Sequence, residues 1–86
     1  MRLQANLYRA NLMLASVTID RGQSDERFSR QLERCLVDAC HELNIPLPLW
    51  MEKNTKEFAR FHQTLFFREQ FSDPIMFDRL QIRWMD

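Results

Sequence analysis

The sequence predicts an α+β domain of β-β-α-(α)-β order, with a three-stranded sheet covered on one face. Three observations carry that prediction. Residues alternate between two faces in two N-terminal runs and again near the C-terminus. Between them lies one long stripe of apolar residues at helical spacing. A third stretch, Asn54 to Phe71, holds five of the seven phenylalanines, and each can bury roughly 150 to 250 Å².

In the first run Leu3, Ala5 and Leu7 oppose Arg2, Gln4, Asn6 and Tyr8. In the second, Met13, Ala15, Val17 and Ile19 oppose Leu14, Ser16 and Thr18. Both have the period of a half-buried strand, and Arg9 to Leu12 must turn the chain between them. This is a β-hairpin, with Asn11 the turn residue most tolerant of positive φ.

Arg21-Gly22-Gln23 ends the second strand, and Ser24 is placed to cap a helix whose dipole favours Asp25 and Glu26. Phe28, Leu32, Cys35, Leu36, Ala39, Cys40 and Leu43 recur on one face of that helix, which spans about Asp25 to Leu43. Asn44 and Pro46 close it. Ile45-Pro-Leu-Pro-Leu-Trp50 is an extended connector. Asn54 then opens N-x-x-E, a capping box with Asn54 as cap and Glu57 reaching back, for a second helix from Thr55 to about His62. Whether that helix continues past Thr64 is left open, because Phe66 and Phe67 would point in different directions on it. Ser72-Asp73-Pro74 terminates this segment. Leu80, Ile82 and Trp84 then alternate with Arg79, Gln81 and Arg83 in a third strand, which needs the first strand as its neighbour and so puts the first strand in the centre.

At 86 residues the chain is a single small globular domain over 1–86, in a size range where folding buries only about 60 to 65% of the extended surface. Its core must be dense, and an apolar fraction of 45% with one glycine provides for that. Twelve basic residues balance twelve acidic ones, so no whole-molecule field draws the protein to nucleic acid or anionic lipid, and nothing opposes self-association. The longest uncharged run, Ala10 to Ile19, is too short to span a bilayer, and the interrupted apolar stretch around it does not form a signal peptide. Two cysteines in such a chain read as reduced thiols in a cytoplasmic protein.

Candidate chemistry is sparse. Cys35, Cys40, His41 and His62 are the soft ligands, yet positions five apart on a helix diverge by about 140° and match no C-x-x-C pattern. They read as two buried thiols and two surface imidazoles. No carboxylate pair has a spacing that demands acid-base work, and one glycine excludes both a P-loop and a dinucleotide fingerprint. No catalytic, cofactor or metal residue is assigned. Trp50, Phe66 and Phe67 fall in irregular segments and are the apolar residues expected to stay partly exposed as a contact patch. Arg2, Arg79 and Arg83 with Tyr8 on the outward sheet face have the composition of a platform for single-stranded RNA, short of the two or three aromatics such platforms use.

The stretches W-x-E-K-N-T-K-E-F, from Trp50, F-F-x-E-Q-F, from Phe66, and F-D-R-L-Q-I-R-W, from Phe77, resemble a group of short bacterial proteins without an assigned function. The likeness covers residues 49 to 84 and implies a bacterial cytoplasmic protein, with no activity or site residue attached. The leading expectation is a non-enzymatic domain for protein interaction, with an unidentified protein partner or a second copy of itself. The terminal run Leu80 to Met85, as a free sheet edge, or the Trp50 segment would mediate pairing in a homo-oligomer. A nucleic-acid-binding module using Arg79 and Arg83 comes second, and an enzyme of unrecognised type using Cys40 or His62 third.

Overall fold

The computed structural model describes residues 1–86, as an antiparallel sheet with two helices on one face. The elements are β1 (Arg2–Arg9), β2 (Leu12–Asp20), α1 (Phe28–Leu43), α2 (Glu52–Phe61), β3 (Gln63–Phe67), a 3-10 turn (Arg68–Gln70) and β4 (Arg79–Trp84). The class is α+β, as expected. The sheet, however, has four strands in the order β2-β1-β4-β3, not three.

The additional strand is β3, and it settles the segment after α2. His62 takes a left-handed conformation (φ 58°) and ends the helix, and the chain enters β3 at once. A period of two sends Phe66 inward, where it is fully buried, and Phe67 outward, where it is exposed. The adjacent phenylalanines thus need opposite faces, which only a strand provides. One consequence overturns the expected edge. β4 lies between β1 and β3, so Leu80 to Trp84 is an interior run and the free edges are β2 and β3. β1 pairs with both β2 and β4, in the interior position expected for it.

Within the hairpin, Leu3, Ala5 and Leu7 oppose Ile19, Val17 and Ala15 on the helix-covered face. A bulge at Leu14 then shifts the register, so Met13 stands opposite Tyr8 on the other face and leaves the phase predicted for it. Positive φ in the turn falls on Ala10 (53°) in place of Asn11, the position a type II′ turn requires. The turn is held from β4's side of the molecule: Ala10 N–H donates to Asp78 (2.5 Å), and the Arg79 guanidinium donates to Ala10 C=O (3.1 Å).

Helix α1 begins at Phe28, a turn later than predicted, because the Ser24 hydroxyl accepts the Glu26 N–H and closes a separate turn. Its inward face is Leu32, Cys35, Leu36, Ala39 and Cys40, and Asn44 in the left-handed conformation caps its end. Helix α2 also starts elsewhere than predicted. Met51 is the N-cap, and Asn54 is the third helical residue, its side-chain oxygen accepting the Met51 N–H (2.9 Å). Glu57 does not reach back to Asn54; it accepts the Thr64 hydroxyl (2.6 Å).

The core joins Leu3, Ala5, Leu7 and Ile19 to the α1 stripe and to Phe58, Phe66, Phe71, Phe77, Leu80 and Ile82. Phe61 is 59% exposed, so three of the five phenylalanines in the 54–71 stretch are buried. No helix is long and apolar enough to cross a membrane.

Candidate functional site

The five residues singled out as an interaction surface do not lie together. Trp50 and Phe66 are on the helix-covered side, with ring centroids 5.6 Å apart, while Phe67, Arg79 and Arg83 are on the open face of the sheet. Phe66 is fully buried and belongs to the core, not to a contact patch.

On the helix side a groove of about 730 Å³ runs between α1 and α2. Phe28, Leu32, Val37, Trp50, Phe58 and Trp84 line it, with Glu33 and His62 among its polar residues. The aromatic packing is continuous: Phe28 meets Trp84 edge-on at 4.9 Å, and Trp50 meets Phe58 at 6.1 Å. The Trp50 indole donates to Thr55 Oγ1 (2.7 Å), which fixes its ring. The imidazole of His62, projected by its left-handed backbone, also rests edge-on against Trp84 at 4.9 Å. Phe28 belongs to the apolar stripe read for α1, and Val37, exposed on the same helix, lies outside that stripe. That they face α2 across a gap depends on where α2 docks, which no local pattern encodes.

The open face is ordered in rows across the strands. Met13, Tyr8, Arg79 and Phe67 form one, Ser16, Asn6, Gln81 and Leu65 the next, and Thr18, Gln4, Arg83 and Gln63 a third. The middle row is a hydrogen-bonded ladder. Ser16 donates to Asn6 Oδ1 (2.6 Å), Asn6 donates to Gln81 Oε1 (3.1 Å), and Gln81 donates to Gln63 Oε1 (3.3 Å). In the first row the Arg79 guanidinium lies 4.7 Å from the centre of the Tyr8 ring, and Lys53 Nζ lies 4.7 Å from that of Phe67.

The free edge β2 is nine residues long and contains no proline. Leu12, Met13 and Leu14 are 69%, 53% and 48% exposed along it.

Cys35 and Cys40 are both buried free thiols. Burial raises the pKa of Cys35, and it pushes Cys40 up to about 11, so both are neutral near pH 7 and poor nucleophiles. No three His, Cys, Asp or Glu side chains converge on a point where a metal ion could sit. Every buried side-chain nitrogen and oxygen has a partner, so no orphaned polar group marks a reaction centre.

The fold and surfaces define an open-faced α+β sandwich whose unsatisfied features are an apolar groove, a ruled polar face and a free strand edge. Compared with protein-family models, curated proteins and solved structures, the chain matches none of them.

Proposed function

We propose that this chain is a non-enzymatic protein-interaction domain that self-associates, with β2 of one copy pairing with β2 of a second across a two-fold axis. The free β2 edge carries this reading. Its regular stretch, Ala15–Asp20, has a single charge, at its end, and Leu12, Met13 and Leu14 continue it with exposed apolar side chains. The six residues beyond the Leu14 bulge form a regular edge, uncharged up to Asp20, that can template another strand, and monomeric proteins blunt such edges with lysine or proline. β2 has neither. A two-fold axis lets the same strand satisfy itself, joining two four-stranded sheets into one of eight. Formal neutrality adds no repulsion. Buried, neutral thiols suit a cytoplasmic setting, where such a dimer would be assembled without disulfides.

Sedimentation equilibrium at micromolar concentration tests the proposal. The parent chain should give a dimer mass. Leu14→Lys combined with Thr18→Lys, both at exposed positions, should give a monomer with unchanged circular dichroism, because the axis sets like charges against each other. A parent that is monomeric throughout, or a double variant that still dimerises, overturns the assignment.

A further inference from the structure

We infer that the uncovered face of the sheet binds single-stranded nucleic acid, with the row Tyr8, Arg79, Phe67 stacking bases and Arg2 and Arg83 engaging phosphates. This site is separate from the β2 edge and does not depend on dimerisation.

The first ground is where the charge goes. The chain is neutral overall, but its ion pairs, Arg21–Asp38, Arg30 and Arg34 with Glu26, Arg30–Glu33, Lys56–Glu52 and Arg68–Asp78, lie on helices and connecting segments. None includes Arg2, Arg79 or Arg83. The strand positions of the open face therefore hold Arg79 and Arg83 outside any ion pair, while Arg2 stands opposite Asp20 and its backbone N–H donates to Asp86. A polyanion laid across the strands meets a net positive charge there even though the whole molecule has none.

The second ground is the π row, which β3 completes by bringing Phe67 onto the face. Tyr8, Arg79 and Phe67 sit on three adjacent strands in register, so the row extends about 10 Å across the sheet. The Arg79 guanidinium lies 4.7 Å from the centre of the Tyr8 ring and is held by its bond to the Ala10 carbonyl, which fixes its place in the row. Nucleobases stack on guanidinium planes as they do on aromatic rings. Lys53, reaching round the β3 edge to Phe67, is positioned to follow a phosphate once a base takes its place. At the end of the ladder the exposed Gln63 can turn its amide nitrogen to a base edge, while Asn6 is buried and its amide is already bonded to Ser16 and Gln81.

Fluorescence anisotropy with labelled 12-nucleotide RNA and DNA strands of the same mixed sequence, between 20 and 200 mM salt, tests the site. Binding of either strand is expected, weakening with salt at a log–log slope of about −2 for three phosphate contacts. The tighter of the two identifies the strand type. Arg79→Glu with Arg83→Glu should remove binding. Phe67→Ala should weaken it roughly 5- to 100-fold, the effect of one lost stack. Lys56→Glu, on the helix side, should leave it unchanged, with thermal melts confirming that each variant folds. No binding of either strand at 20 mM salt, or a double variant that binds like the parent, overturns the inference.

Discussion

Asn54 holds more of this molecule together than any other polar side chain. It is fully buried, and each of its hydrogen-bonding positions is used. Its oxygen accepts the Met51 N–H and the Gln70 amide, both at 2.9 Å, and its nitrogen donates to Thr64 Oγ1 (2.8 Å) and Leu65 C=O (3.0 Å). One residue thereby fastens the start of α2, strand β3 and the 3-10 turn. Gln70 passes the connection on, donating to Leu49 C=O (3.0 Å), while Leu49 N–H donates to Gln70 C=O (2.7 Å). Asn54→Ala strands several buried partners, each costing about 1 to 3 kcal/mol, so a loss of about 3 kcal/mol or more is expected in urea unfolding. Asn54→Asp keeps the acceptor for Met51 but sets a carboxylate against the Leu65 carbonyl, and should be similarly damaging. The sequence flagged Asn54 as important and misjudged its role: N-x-x-E is a helix-start signal, and here the asparagine supplies the reach-back that the motif gives to glutamate. A different residue-scale prediction concerns Cys40. Its pKa is raised from 9.0 to about 11 by burial, so the folded state resists deprotonation that the unfolded chain allows. Below pH 9 both states hold the proton and the difference vanishes. As pH rises from about 9 to about 11 stability should fall progressively, and Cys40→Ala should flatten that decline in a pH series of urea melts.

At the scale of elements, the helix α1 and the strands β1 and β4 were legible because side-chain periodicity matched burial almost residue by residue. Leu32, Cys35, Leu36, Ala39 and Cys40 are buried at the positions their spacing assigns. Strand β3 was not legible, and its residues show why. Its inward positions are Thr64 and Phe66, and its outward ones are Gln63, Leu65 and Phe67, so the polarity pattern is partly inverted. Thr64 can face inward only because its hydroxyl is held between Asn54 and Glu57, two residues of α2. The alternation that would announce the strand is masked by a tertiary network. Missing β3 then misplaced the edge of the sheet and hid Phe67's place on the open face. The bulge at Leu14 had a like effect on a smaller scale, since one inserted residue reverses the facing of Met13 and no composition signal marks it. The groove was out of reach for a further reason: its walls belong to separate helices, and sequence periodicity describes each helix alone.

For the whole molecule the governing fact is the asymmetry of its two layers. The ion pairs lie on the helices and connecting segments, and the strands hold a single acidic residue, Asp20. The sheet layer shows an open face and, at β2, an unpaired edge. A domain this small buries a limited core, so pairing β2 across a two-fold axis would contribute directly to the folding equilibrium. Folding and association are then linked. If the native species is a dimer, a hundredfold rise in protein concentration stabilises each protomer by about 1.4 kcal/mol, which corresponds to roughly 5 to 10 °C in Tm for a chain of this length. The Leu14→Lys, Thr18→Lys variant should melt at one temperature regardless of concentration, and at high concentration it should melt below the parent. Differential scanning calorimetry between about 5 and 500 µM separates the cases. A parent whose Tm does not move with concentration would show that β2 stays unpaired in the folded protein, and an equal shift in parent and variant would place the contact on some other surface.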